Sequence, residues 1–186
     1  MLMGEQQSPI NVRRAVKAAV DFEVCWHEGR FEAERAAHGH RLRPVDAHWV
    51  KLDGERFELA NVHFHRPSEH WVSGRRFDAE LHAVHVRADD GLKVVAVAVL
   101  LNLGERDGAQ PAEPPTTLDL PALLPRGGFY RYEGSLTTPD FGENVSWVVM
   151  RDPVTPRDPL RGFVLAHGDQ ARDPQPLHRR FVLASG

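Results

Sequence analysis

The chain has 186 residues, of which 41% are hydrophobic and 26% charged, a composition typical of an ordinary globular domain. The longest apolar run, Val94 to Leu101, is too short for a membrane-spanning helix, and a formal net charge of −3 argues against electrostatic binding of nucleic acid. We therefore expect a single domain over residues 1–186, with neither a membrane nor a nucleic acid as partner.

The single cysteine, Cys25, excludes an intrachain disulfide framework, and the residues before Gln7 lack the apolar segment of a secretion signal. The compartment therefore stays open between the cytoplasm and, where a leader has been removed, the periplasm or the exterior. A homodimer is compatible with this composition.

Alternation of apolar and polar residues predicts strands from Phe22 onward. Turns are predicted at Gly29, at Gly39 and at the Asp53-Gly54 pair. A strand then continues to His65, and its side chains are expected to point alternately to the two faces of a sheet. This alternation assigns three residues to one face of the strand: Phe57, Leu59 and Asn61.

The second half of the chain predicts further strands. A turn at Ser73-Gly74 precedes a strand over 77–86, a hairpin turn follows at 89–91, and segment 93–101 is apolar on both faces, as in a buried central strand. A short helix is predicted within 118–124, with strands at 146–150 and 181–183. The expected fold class is mainly β (α+β with little helix), a single domain built on a large, mostly antiparallel central β-sheet.

Three histidines on two of these strands predict a metal site. His63 and His65 are two residues apart and therefore share a strand face, and His82 lies on the next predicted strand. If the two strands pair, three imidazoles converge and leave the fourth position of a tetrahedral zinc open, as in catalytic rather than structural zinc sites.

Two other interpretations of the histidine pair stay open at this point. Histidines two residues apart are commonly accidental surface residues. The pair also half fits a cupin metal motif with Glu69 as the third ligand, although Phe57 stands where that motif has a glycine.

Seven short segments, in order along the chain, carry a family resemblance. They are Gln7-Ser8-Pro9-Ile10-Asn11, His63-Phe64-His65, Ser68-Glu69-His70, residues 80–85 (ELHAVH), residues 132–139 (YEGSLTTP), Val145-Ser146-Trp147 and Gln175-Pro176-Leu177. With these segments the chain resembles α-class carbonic anhydrases of bacterial type, from residue 7 to residue 177.

The resemblance implies reversible hydration of CO2 to bicarbonate and a proton by a zinc-bound hydroxide. It assigns His63, His65 and His82 as ligands of Zn²⁺. Thr137 is expected to accept the proton of the hydroxide and to donate its own to Glu69. Two further residues would orient the ligands: Glu80, which receives the N–H of His82, and Asn61, which contacts His63 where the family has glutamine.

The resemblance also implies a substrate pocket and a route for the proton. It assigns the apolar wall beside CO2 to Val84, Val94, Leu136, Val145 and Trp147, and the polar side to Thr138. His40 is expected to be the proton shuttle, with His38 as a substitute on the same strand face. Arg43 is expected to place a positive charge near the cavity mouth. Aryl sulfonamides are expected to inhibit.

Two alternatives of other classes stay open. One is a repurposed zinc hydrolase or lyase that acts on another carbonyl substrate. The other is a non-catalytic binding module of the same fold.

Overall fold

The computed structural model describes residues 4–36, 39–104, 112–168 and 170–186. The elements in chain order are β1 (Asn11–Val12), β2 (Val16–Lys17), β3 (Phe22–Cys25), β4 (Glu28–Ala36), β5 (Gly39–Pro44), β6 (Trp49–Leu52), β7 (Glu55–His65), β8 (Trp71–Val72), β9 (Ala79–Arg87), β10 (Val94–Leu101), β11 (Thr117–Asp119), a 3₁₀ turn (Pro121–Leu123), β12 (Phe129–Gly134), β13 (Val145–Met150), α1 (Leu160–His167) and β14 (Leu183–Ala184). Among these described residues, no helix has both the length and the apolar character needed to span a membrane.

Twelve of the described strands form one large mixed sheet in the order β11-β4-β5-β7-β9-β10-β13-β12-β14-β2, with β3 and β6 attached beside β7. The pairs β10–β13 and β14–β2 are parallel, and the other pairs of this sheet are antiparallel. The prediction of a mainly β fold with a large, mostly antiparallel sheet is confirmed.

Strand β10 is the centre of the sheet and is buried along its whole length. Its alternate residues enter two different apolar clusters, one on each face: Val95, Val97, Val99 and Leu101 in the larger, and Val94, Ala96 and Ala98 in the smaller. Burial on both faces explains why residues 94–101 contain no polar side chain, since strands covered on both sides are apolar throughout. The predicted buried central strand is confirmed.

A β-bulge in β7 decides which face of the sheet carries the histidines. The pairing with β9 shifts between Leu59 and Asn61, so that Ala60 is an extra residue in β7. Phe57 and Leu59 therefore point into the larger cluster, whereas Asn61 points to the opposite face. The prediction that Phe57, Leu59 and Asn61 share one face is wrong, because it assumed an unbroken alternation.

Other local predictions also differ from the structure. Gly29 lies inside β4 rather than in a turn. It is a glycine for a packing reason, because a β-carbon there would lie 2.7 Å from the ring of His48. The strands β7 and β9 do pair as predicted, but the Ser73-Gly74 turn belongs to the short strand β8 between them. The helix predicted within 118–124 is only a single 3₁₀ turn.

Helix α1 was not predicted from the sequence. Two neighbouring residues of this helix, Phe163 and Val164, are buried in the larger cluster, and Phe163 packs edge-to-face on Phe64 of β7. Only eight residues long and preceded by a Pro-rich segment, the helix gives a weak periodic signal. It covers the face of β7 opposite the histidines.

Deleting Ala60 should destabilise the protein. Without the extra residue, the alternation forces Phe57 and Leu59 out of the core or His63 and His65 into it. Exposing two buried apolar side chains costs about 3–6 kcal/mol. Urea unfolding, followed by circular dichroism, measures this loss. The matched control, Ala60→Ser, keeps the residue count and should unfold near the wild-type midpoint. A deletion variant with the wild-type midpoint would contradict the role of the bulge.

Candidate metal centre

The three predicted histidines converge on one face of the sheet. His63 lies directly opposite His82 in the β7–β9 pairing, and His65 is two residues further along β7. The ring centroids are 5.2 Å apart for His63 and His82 and 4.7 Å apart for His65 and His82. One nitrogen from each ring lies within 4.8 Å of the other two.

In each imidazole, one nitrogen is directed at the other two rings. The second nitrogen lies within hydrogen-bond distance of an acceptor, which holds the ring in place. The Nδ1 of His63 lies 2.8 Å from Oδ1 of Asn61, and the Nδ1 of His65 lies 3.2 Å from the carbonyl oxygen of Gln170. For His82 it is Nε2 that is bonded, at 2.8 Å from Oε1 of Glu80. An acceptor fixes the protonated nitrogen of a neutral imidazole, so the opposite nitrogen carries the lone pair that a metal needs.

The surroundings of the site favour neutral imidazoles. Burial lowers the pKa of His63 well below its ordinary value, and the nearby His65, His82 and Arg41 lower it further. Burial also lowers the pKa of His82, although the carboxylate of Glu80 partly opposes this. Neutral rings are metal ligands, whereas protonated rings are not.

Glu80 orders a wider network than the sequence analysis assigned to it. Its Oε2 accepts the backbone amides of Glu69 at 2.8 Å and His70 at 2.7 Å, and its Oε1 lies 2.6 Å from Nδ1 of His70. Burial acts to raise the pKa of Glu80, but His70 and His82 outweigh it and hold the pKa well below its ordinary value. Glu80 is therefore a carboxylate.

The network continues away from the site. The Nε2 of His70 lies 2.7 Å from the hydroxyl of Tyr132, which is 2.9 Å from Oγ of Ser8. No role was predicted for His70, Tyr132 or Ser8, although each lies in one of the segments that carry the family resemblance. Their position in those segments is the sequence signal from which a role near the site could have been predicted.

The carboxylate of Glu69 lies beside the histidines. It is 1% exposed, and its Oε2 lies 3.5 Å from Nε2 of His65 and 3.9 Å from Nδ1 of His82. Burial raises its pKa, opposed by His82, by a hydrogen bond from the side chain of Thr137 and by one from the amide of Arg172 at 2.7 Å. The side chain of Thr137 is therefore close enough to affect the pKa of Glu69, and the proton-donating role of Thr137 stays a prediction.

An apolar wall stands on the same face as the histidines. The five residues predicted for it all belong to the smaller apolar cluster: Val84, Val94, Leu136, Val145 and Trp147. The Trp147 ring lies 4.8 Å from that of His82, and its indole N–H donates to the carbonyl oxygen of Ser135 at 3.0 Å. Thr138 is half-buried on the turn after β12.

His40 does not face the three histidines. Its ring packs edge-to-face on Phe163 of α1, with the ring centroids 5.7 Å apart, on the face of the sheet that also holds Leu42 and Phe64. The predicted proton shuttle at His40 does not fit this position, because successive residues of β5 point to opposite faces. His38, the predicted substitute, lies outside the described residues.

The positive charge beside the site differs from the one predicted. Arg43 is exposed and forms an ion pair with Glu34 of β4. Arg41, which the sequence analysis did not single out, is half-buried and close enough to His63 for its charge to lower the pKa of that ring.

The donor set fits a zinc ion. Three imidazoles that each have one nitrogen bonded to an acceptor and one directed at the other rings are the donor set typical of a catalytic zinc site, which leaves a fourth position open. Within the described ranges, the buried Oε2 of Glu69 has no hydrogen-bond partner, which fits a site that holds a further polar group beside the histidines. A second group that could hold a metal, His70 with Glu80 and His82, is already hydrogen-bonded within itself.

Comparison with known proteins agrees with this geometry. A sequence model described as eukaryotic-type carbonic anhydrase matches residues 1–186. A carbonic anhydrase of Pectobacterium carotovorum is 32% identical, with 97% of this chain and 80% of the relative covered. One from Klebsiella pneumoniae is 34% identical over the same shares.

Solved structures agree as well. The α-carbonic anhydrase of Photobacterium profundum superposes with a TM-score of 0.82 at 30% identity and covers 97% of this chain and 89% of its own. That of Thermovibrio ammonificans, solved with the inhibitor sulfanilamide, has a TM-score of 0.79 at 31% identity and covers 97% and 87%. The chain therefore belongs to the eukaryotic-type (α) carbonic anhydrase family, whose members are enzymes that hydrate CO2.

Proposed function

We propose that this chain catalyses the reversible hydration of CO2 to bicarbonate and a proton at a zinc ion held by His63, His65 and His82. The observation that carries the proposal is the convergence of three oriented imidazoles between the buried carboxylate of Glu69 and an apolar wall. When bound, zinc supplies a Lewis acid that makes a water molecule nucleophilic near neutral pH.

Thr137 orients the reacting water. In this proposal the hydroxyl of Thr137 donates its proton to the nearby carboxylate of Glu69, so its oxygen is left to accept a hydrogen bond from the cavity side. A water that donates to this oxygen has its lone pair turned away from Thr137 and toward the substrate. The amide of Arg172 holds Glu69 in place from the other side.

The apolar wall binds the substrate and releases the product. CO2 carries no charge and loses little when it leaves water for the surface of Val84, Val145 and Trp147. Bicarbonate is an anion, and an apolar surface cannot replace its hydration. The wall therefore favours CO2 over bicarbonate at the position where the carbon is attacked.

The two alternative functions have less support. An acatalytic module would be expected to have lost one of the three histidines, and all three are present and close together. A repurposed enzyme would use the same site on another carbonyl substrate, and the family relatives that support the proposal are carbonic anhydrases. Since sulfanilamide is the inhibitor in the Thermovibrio ammonificans structure, we also expect aryl sulfonamides to bind here.

We predict that each chain binds one zinc ion and that the His82→Ala variant loses this ion. Purified protein should contain about one equivalent of zinc by mass spectrometry, and the variant should retain little metal and no CO2-hydration activity. The control His178→Ala removes an exposed histidine and should retain both. Full zinc occupancy in His82→Ala would show that the ligand set is wrong.

Thr137→Ala tests the orienting hydroxyl. The variant should keep its zinc but hydrate CO2 roughly a hundredfold more slowly, which is the usual cost of removing one positioning hydrogen bond. Stopped-flow kinetics with a pH indicator measures the rate. The neighbouring Thr138→Ala should lose much less. Equal rates in wild type and Thr137→Ala would rule out this role.

His40→Ala tests the proton route. Because His40 packs against Phe163 on the other face of the sheet, the variant should keep the wild-type kcat in dilute buffer. Stopped-flow rates over a range of imidazole concentrations check this. A fall in kcat that imidazole restores would instead identify His40 as the shuttle and contradict its position here.

A further inference from the structure

Arg41 lies at the edge of the three-histidine site. Leu42 of β5 pairs with Val62 of the antiparallel strand β7, and both side chains are buried in the larger cluster. The next residues along the two strands, Arg41 and His63, are therefore neighbours on the opposite face. Arg41 is half-buried, so part of its side chain is accessible to solvent.

The carboxylate opposite Arg41 on the neighbouring strand is paired with another arginine. Glu34 lies directly opposite Arg41 on β4, but the carboxylate of Glu34 is bonded to Arg43. Among the described residues, Arg41 forms no ion pair, whereas many of the other arginines do. A half-buried guanidinium beside the site is thus available to an anion.

We infer that Arg41 is a docking residue for anions at the rim of the site. It gives bicarbonate and carboxylate-bearing ligands an affinity that neutral ligands of the same shape lack. This inference rests on the proposed function, and it adds a selectivity that the zinc ligands and the apolar wall do not provide.

The guanidinium suits this ligand chemistry. Its planar N–H groups match the two oxygens of a carboxylate or bicarbonate, and its charge is permanent. The neutral substrate CO2 gains nothing from such a group, so Arg41 acts on the product side of the reaction. At a half-exposed position, one such pair changes affinity by about threefold to tenfold at low salt.

A pair of matched inhibitors tests the inference by binding rather than activity. The inhibitors are 4-sulfamoylbenzoate and 4-sulfamoylbenzamide, which share the sulfonamide head and differ in the charge at the outer end. Isothermal titration of the zinc-loaded protein at low ionic strength gives a Kd for each. The wild type should bind the carboxylate about threefold to tenfold more tightly than the amide, and 0.5 M NaCl should reduce this ratio.

Three variants assign the effect to one side chain. Arg41→Gln should bring the ratio close to one, while the amide Kd stays unchanged. Arg14→Gln removes the same charge from an exposed residue in a groove beside Trp71, and should keep the wild-type ratio. Arg41→Lys keeps the charge but not the planar fork and should keep part of the wild-type ratio.

The outcomes separate this inference from the proposed function. A wild-type ratio of one, or an Arg41→Gln ratio equal to that of the wild type, would overturn the inference while both inhibitors still bind. A wild-type ratio that 0.5 M NaCl leaves unchanged would also count against it, and this measurement remains informative if Arg41→Gln fails to fold. Binding of neither inhibitor to the zinc-loaded protein would overturn the proposed function, and this inference with it.

Discussion

The geometry of the site depends on one buried carboxylate, that of Glu80. It is 0% exposed, and a charge in such a place is tolerated only when hydrogen bonds replace its lost hydration. Here two backbone amides and two imidazoles supply them. The same bonds fix the ring of His82 and the backbone at Glu69, so the ligand and the orienting acid share one anchor.

The bulge at Ala60 makes the two faces of the sheet chemically different. Before the bulge, β7 contributes Phe57 and Leu59 to the larger cluster, and after it the even-numbered Val62 and Phe64 take over that role. The odd-numbered His63 and His65 are thereby turned toward the smaller cluster and its apolar wall. Polar site residues and CO2-compatible surface meet because of one inserted residue.

The features that could be predicted from the sequence are those that follow from the local spacing of residues. The pairing of β7 with β9, the buried strand β10 and the convergence of His63, His65 and His82 follow from period-two alternation and from turn residues. The bulge could not be predicted in this way, because an inserted alanine leaves no compositional signal. Nor could the direction of His40, since a motif match identifies a residue without identifying the face to which it points. Arg41 follows His40 in β5 and therefore points to the opposite face, where the three histidines lie. It was missed because the motif match identified His40 without identifying its face.

The segment after α1 completes the site from the far end of the chain. The carbonyl oxygen of Gln170 holds His65, the amide of Arg172 holds Glu69, and the guanidinium of Arg172 donates to the carbonyl oxygen of Ser8 at 2.7 Å. During synthesis, the central strands can pair before this segment leaves the ribosome. Residues 170 and 172, like the last strand β14, are synthesised after the central strands, so His65 and Glu69 gain these contacts late and the histidine face of the sheet depends on residues from the far end of the chain.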